Sequence, residues 1–237
     1  MRLLPYPFMT RKIKMQISKA TLEVLHNFAA INPNIMFSPG QTQKTIAEAK
    51  NILAQAETVD DFPTGFGIYD LNEFLSVINL IDNADLEFGE DHVLVKNDYS
   101  SIKYYYSEPD ILTTPTKEIN MPDPEFSVNI TDEHLGQIRK AAAVLGHAEL
   151  VLSNQGSVVT AEVYDVNDAT SNNYSLSIDQ DNACTGKFKF VFSIPNLKLL
   201  PGDYYVSISS KLISHWTNTD YPVNYYIALE KGSEYNV

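Results

Sequence analysis

The chain has 237 residues, is 44% hydrophobic and carries a formal net charge of −13. No apolar run approaches the ~18 residues of a membrane span, and the lone Cys184 excludes an intrachain disulfide and suits a reducing cytosol. The acidic balance argues against holding a nucleic acid by bulk charge, since duplex DNA is gripped by neutralising its phosphates.

The basic residues are not evenly spread. Arg2, Arg11, Lys12 and Lys14 precede any folding pattern, and residues 15–237 carry 13 basic against 30 acidic side chains, a net −17. Residues 1–14 lack the small-residue cleavage site of a signal peptide and are broken by Pro5 and Pro7. They read as a disordered extension or a start placed too early; the alternative is a basic arm that touches DNA.

Ser18 caps a helix to about Ala30, with Leu22, Leu25, Phe28 and Ala29 on one stripe. Asn32-Pro33-Asn34 stops it, Ile35-Met36-Phe37 reads as a strand, and Pro39-Gly40 as a turn. Thr42 to Thr58 is helical by local propensity, yet it also fits two strands around Lys50-Asn51. A strand follows at Phe66–Tyr69, then a helix capped by Asp70 that buries Leu71, Phe74, Leu75 and Ile78, then strands at Asp85–Phe88, His92–Lys96 and Ile102–Tyr106. Residues 107–125 hold four prolines and read as an extended connector. Beyond it come a strand at Phe126–Ile130, a helix from Thr131 to about Val144, and strands at Glu149–Ser153, Val158–Tyr164, Tyr174–Asp179 and Lys187–Ile194. Asn196 is expected to open a short helix ended by Pro201-Gly202, before strands at Tyr204–Ser209, Leu212–Trp216 and Asn224–Leu229.

The two halves repeat. Ile17-Ser18-x-x-Thr21-Leu22-x-x-Leu25 recurs as Ile130-Thr131-x-x-His134-Leu135-x-x-Ile138 at an offset of 113. Phe66-Gly67-Ile68-Tyr69-Asp70-Leu71 recurs as Phe192-Ser193-Ile194-Pro195-Asn196-Leu197 at an offset of 126. The repeat decides Thr42–Thr58 in favour of strands, because the matching slots, Val158–Tyr164 and Tyr174–Ile178, are plainly β-rich. The expected organisation is an extension over 1–14, domains over 15–106 and 126–237, and a connector over 107–125. Each domain is α+β and is written β-α-β-β-β-α-β-β-β.

Chemistry-bearing patterns are sparse. Asp179-x-Asp181-Asn182 starts like a calcium loop, but Ala183 takes the next ligand position and the glycine is displaced to Gly186. The histidines lack metal-ligand spacing, and no phosphate-binding loop or nucleophile elbow occurs. Cys184 reads as a small side chain in or beside a strand. No metal, cofactor or catalytic residue is expected, and a duplicated domain without a catalytic motif suits a scaffold better than an enzyme.

The element order, written twice, resembles the DNA sliding clamps, nearest to those of T-even-like bacteriophages. The resemblance rests on Ile17-Ser18-Lys19-x-Thr21 through Asn27-Phe28-Ala29-x-Ile31-Asn32, and on Tyr69-Asp70-Leu71-Asn72-x-Phe74-Leu75. In the second copy it rests on Tyr174-Ser175-Leu176, Pro201-Gly202-Asp203-Tyr204 and Tyr226-Ile227-Ala228-Leu229-Glu230. Residues 1–14 precede the usual family start, and Ala141 and Ala143 leave the second-copy helix less basic than the family pattern. The resemblance implies the DNA clamp fold and a homotrimeric ring, with strands outside and helices lining a hole for duplex DNA. It further implies sequence-independent, topological DNA binding in the cytoplasm of an infected bacterial host. The implied partners are the DNA polymerase, a clamp loader and late-transcription factors, with no membrane.

Lys19, Arg139, Lys140 and Lys198 are the cations expected to face DNA; otherwise they are solvated helix surface. Ile111, Leu112, Ile119 and Met121 of the connector, with Tyr226 and Ala228, are expected to line a shallow pocket for partner peptides; otherwise Tyr225–Leu229 is an ordinary strand. Strands near Ile102–Tyr106 and Leu212–Trp216 are the expected ring edges. The rival readings are a β-rich oligomeric virion protein and, more weakly, a hydrolase using surface carboxylates.

Overall fold

A computed structural model describes residues 14–179 and 186–236. The expectation for the N-terminal extension therefore lies outside the described residues, except at Lys14. That residue belongs to the fold: it opens strand β1 (Lys14–Met15), which pairs with β6 (Asp85–Phe88), and its Nζ lies 2.6 Å from Asp85 Oδ2. Cys184 and most of the calcium-like segment also lie outside the described residues. Among the described residues, no helix is long and apolar enough to cross a membrane.

In the first half, β1 leads into α1 (Lys19–Ile31), whose Ser18 cap accepts from the Thr21 amide. Strands β2 (Ile35–Phe37), β3 (Gly40–Ile46), β4 (Ile52–Phe62) and β5 (Phe66–Ile68) follow. The repeat therefore reads Thr42–Thr58 correctly where local propensity misleads. The turn between β3 and β4 puts Lys50 at φ 58°. Helix α2 (Leu71–Leu80) starts at Asp70, whose carboxylate accepts from the Glu73 amide. Then come β6, β7 (His92–Lys96) and β8 (Ser101–Tyr105). Between 107 and 125 the only regular element is one 3₁₀ turn, Pro109–Ile111.

The second half runs β9 (Phe126–Ile130), α3 (Asp132–Leu145), β10 (Glu149–Gln155), β11 (Val158–Val163), β12 (Tyr174–Asp179) and β13 (Lys187–Ser193). It closes with β14 (Tyr204–Ser209), β15 (Ile213–Asn218), β16 (Val223–Ala228) and a short β17 (Glu234–Asn236). The α+β reading with two similar halves stands, with details corrected. Each half has four strands between its first helix and the second helical slot, one more than the compressed formula. The helix expected from Asn196 is absent; a single 3₁₀ turn, Ile194–Asn196, stands there. Pro195 and Pro201 leave five residues between them, too few to repay helix nucleation. Leu197, Leu199 and Leu200 are still buried, so the segment fills a helix's place without being one.

The sheets are β1-β6-β7-β8, β12-β11-β10-β13-β17, the pair β2-β5, and a six-stranded sheet β3-β4-β16-β15-β14-β9. The six-stranded sheet joins the halves through the antiparallel pair β4·β16, with Tyr225 opposite Ala54. Here the second expected ring edge fails. Leu212–Trp216 maps to β15, which lies between β14 and β16, so its ladder is satisfied on both sides. The open edges of the flanking sheets include β8 and β12.

Placing β8 and β16 makes a third repeat meaningful, at an offset of 121. Asn97 and Asn218 each accept from the backbone amides two and three residues on. Tyr104-Tyr105 matches Tyr225-Tyr226. Each half has its own aromatic centre. Phe37 stacks on Phe66 at 4.4 Å beside Phe62 and Phe74, and Trp216 meets Phe192 and Tyr204 edge-on at 5.7 and 6.0 Å.

Candidate DNA-facing helices and partner groove

The helical segments lie side by side in the order α2, α1, 194–200, α3. Helix α1 packs against α2. Lys198 Nζ donates to Ala30 O at 2.6 Å near the end of α1, and Asn27 Nδ2 donates back to Lys198 O at 3.0 Å. Arg139 Nη2 on α3 donates to Leu197 O at 3.2 Å. Two of the four singled-out cations therefore stitch this band together. Their side chains reach carbonyls at a helix end and in an irregular segment, where backbone acceptors lack partners. Lys19 is exposed at the start of α1. Lys140 is exposed on α3 but sits at the far edge of the band, beside Val144 and Tyr174.

The six residues expected to form one pocket divide into two sets. Ile119 meets Tyr226 and Ala228 in a groove of about 330 Å³ over the six-stranded sheet, whose walls also include Leu53, Leu212 and Ile213. Lys50 and Lys211 stand among its lining residues. Leu112 lies elsewhere, against Gly67 of β5, and Ile111 is 60% exposed in the 3₁₀ turn. Met121 does not line the groove; Asn120 and Pro122 on either side of it do. The connector is thus held at two separate places. Asn32 and Asn34 hydrogen-bond Thr113 O and N at the first, and Ile119 covers Leu53 and Tyr226 at the second.

The floor of the groove is stiffened from β15. His215 stacks on Tyr226 with centroids 4.6 Å apart and planes 6° from parallel, and its Nε2 lies 2.9 Å from Asn224 Oδ1. Burial lowers the His215 pKa, against a smaller upward pull from Asn224, so the ring is neutral near pH 7. Among the described residues, no group of three or more His, Cys, Asp or Glu could hold a metal ion.

A sliding clamp of Vibrio phage KVP40 is 31% identical over 222 residues, covering 91% of this chain and 99% of that protein. The chain belongs to the phage sliding-clamp family. The sliding clamp of Enterobacteria phage T4 is 30% identical, covering 94% of this chain and all of that protein. Residues 18–110 match the DNA polymerase processivity factor family, and residues 127–231 the C-terminal family of the gp45 sliding clamp. The fold is shared more widely. The A. fulgidus PCNA, solved with the C-terminal region of FEN-1, superposes with a TM-score of 0.68 at 14% identity, covering 94% of this chain and 100% of that one. The β chain of DNA polymerase III from Streptococcus pneumoniae gives 0.66 at 14% identity, covering 97% of this chain and 67% of that one. A processivity factor is not an enzyme, and the virion-protein reading is set aside. For this clamp, sequence reasoning missed Leu53, Leu212, Ile213 and the two lysines of the groove. They come from two distant segments, 50–53 and 211–213, and only the β4·β16 and β15·β16 pairings bring them together.

Proposed function

We propose that three copies of this clamp close into a ring around duplex DNA, with helices inward, and tether the replicative polymerase. The observation that carries this reading is the β4·β16 seam. The repeat maps β16 onto β8 and β4 onto β12, and both are open edges. Antiparallel pairing of β8 with β12 of the next copy would cover edges that otherwise invite aggregation. Ile102 and Tyr104 on one side and Tyr174 and Ile178 on the other are half-buried residues already packed on the core, ready to be covered further. A solution mass three times that of the subunit, with retention on circular but not linearised DNA, is expected. A monodisperse monomer at micromolar concentration in low salt would refute it.

Lys19, Arg139 and Lys198 are assigned to the duplex face, where contacts to phosphate position the ring without reading bases. The net negative charge limits adhesion to DNA from outside. The Ile119–Tyr226 groove is assigned to short apolar peptides of the polymerase, with the clamp loader and late-transcription factors competing for it in the host cytoplasm. Its apolar walls favour aliphatic or aromatic anchors, and Lys50 and Lys211 favour acidic residues beside them. Tyr226→Ala is expected to weaken binding of the polymerase's terminal peptide about 30-fold, the scale of a ~2 kcal/mol anchor, while ring mass is unchanged. Undiminished binding, read by fluorescence anisotropy, would move the site elsewhere.

A further inference from the structure

The seam inside one subunit is a template for the joint between subunits. At the seam, Tyr225 Oη on β16 donates to Asn27 Oδ1 on α1 at 2.8 Å and accepts from Leu200 N at 3.2 Å. The repeat offset of 121 carries Tyr225 to Tyr104, that of 113 carries Asn27 to Lys140, and that of 126 carries Leu199 and Leu200 to Glu73 and Phe74. The joint would therefore bring Tyr104 and the start of α2 from one copy against Lys140 on α3 of the next.

Both sides are prepared for this meeting. Tyr104 Oη donates to Glu73 Oε2 at 2.9 Å, and the Glu73 amide donates to Asp70 Oδ1 at 3.1 Å, so backbone and carboxylate are both fixed. Burial, and then the Glu73 carboxylate, push the Tyr104 hydroxyl upward, so it stays protonated as the donor. Across the joint, Lys140 is exposed and makes no hydrogen bond or ion pair among the described residues. It borders an open apolar recess of about 290 Å³ lined by Ala141, Val144 and Tyr174 beside the β12 edge. Val144 is 78% exposed, whereas its repeat mate Ile31, on the helix that adjoins the seam, is 6% exposed. A bare aliphatic where the sister copy has a covered one marks a surface that a second copy closes.

We propose that Lys140 is an assembly contact rather than a DNA contact, its ammonium pairing across the joint with the Tyr104-held carboxylate of Glu73 of the partner subunit. This rests on the ring reading and names the residues of its joint. The neutral Asn27–Tyr225 contact of the seam becomes a charged one at the joint. Opposite charges at an assembling surface set register and make association sensitive to salt.

The test is a charge-swap cycle on the full chain, read as the dissociation constant of the assembly by sedimentation at low and high salt. Lys140→Glu and Glu73→Lys are each expected to weaken assembly at least tenfold at low salt, and the double swap to return it to within about threefold of the parent, as coupled neighbours do. Glu73→Gln, which keeps an acceptor for Tyr104, separates loss of charge from loss of the α2 start; it should weaken assembly without changing the circular dichroism spectrum. A parent that does not assemble sinks the ring reading itself. A parent that assembles, with Lys140→Glu assembling equally well or the double swap no better than the singles, leaves the ring standing and overturns the pair. Normal assembly with impaired loading in Lys140→Glu would return that lysine to the DNA face.

Discussion

Trp216→Ala is expected to lower the unfolding free energy by about 3–5 kcal/mol, the range for a large aromatic removed from a packed core. Trp216 is fully buried on β15, one strand from the seam. Its Nε1 donates to Ser214 Oγ at 2.9 Å, and that hydroxyl donates to Ile227 O at 2.8 Å on β16. Removing the indole therefore empties the centre between Phe192 and Tyr204. It also strips a donor from a buried hydroxyl that helps hold the seam strand. Because this is the sole tryptophan, urea unfolding should be followed by far-UV circular dichroism rather than by intrinsic fluorescence. A loss below about 1 kcal/mol would mean that the site collapses around the gap, as poorly constrained cores do. The aromatic centre of the second half would then not be what stabilises the seam.

How much of this was legible in the sequence depended on range. Caps and stripes are local, so Ser18, Asp70 and Thr131 open their helices as read. The β3–β4 hairpin was legible only because a second copy spelled the same slot in unambiguous β residues; alanine, glutamate and glutamine alone favour helix. The second helical slot of the second half misled for the opposite reason. The repeat promised a helix, and two prolines with only five residues between them prevented it. Strand order was not legible. Leu212–Trp216 reads equally well as an edge or a centre, because period-2 alternation reports which face is buried and is silent about neighbours. The groove suffered likewise. Ile119, Tyr226 and Ala228 meet, but Leu53 joins them only through β4·β16 and Ile213 only through β15·β16. The offset of 121 between Tyr104-Tyr105 and Tyr225-Tyr226 was present throughout, yet it acquires structural meaning only when β16 is found paired on both sides and β8 on one.

That asymmetry separates two otherwise equivalent junctions. Within the chain, the Tyr225 contact at the seam is made to an asparagine and to backbone, although the Lys198 ammonium and the Glu23 carboxylate also bond across the halves nearby. Neutral hydrogen bonds of this kind, enclosed beside a buried sheet, respond little to ionic strength. A joint made from Lys140 and Glu73 would respond strongly. A ring so built opens between subunits before it opens within one, which is what threading onto DNA without unfolding requires.

The connector should prove equally particular about where it begins. Gly67→Ala is expected to destabilise the chain by about 1–3 kcal/mol, the cost of overpacking a close contact. A Cβ at Gly67 would stand 2.7 Å from both Leu112 Cδ1 and the backbone oxygen of Ser107. The side chain could move, but the oxygen cannot move freely, because Ser107 N donates to Gly67 O at 2.9 Å and Tyr106 N to Asp91 O at 3.0 Å. The double variant Gly67→Ala/Leu112→Ala should therefore recover only part of the loss. The readouts are thermal melting, at roughly 2–4 °C per kcal/mol for a chain of this size, and limited proteolysis, in which the connector should be cut sooner than in the parent. Peptide binding should persist, since Ile119 and Tyr226 meet at the other dock. Full recovery in the double variant would show that Leu112 alone sets the spacing. A neutral Gly67→Ala would show that the connector's entry is free to shift, leaving its hold on the fold to Asn32, Asn34 and the groove.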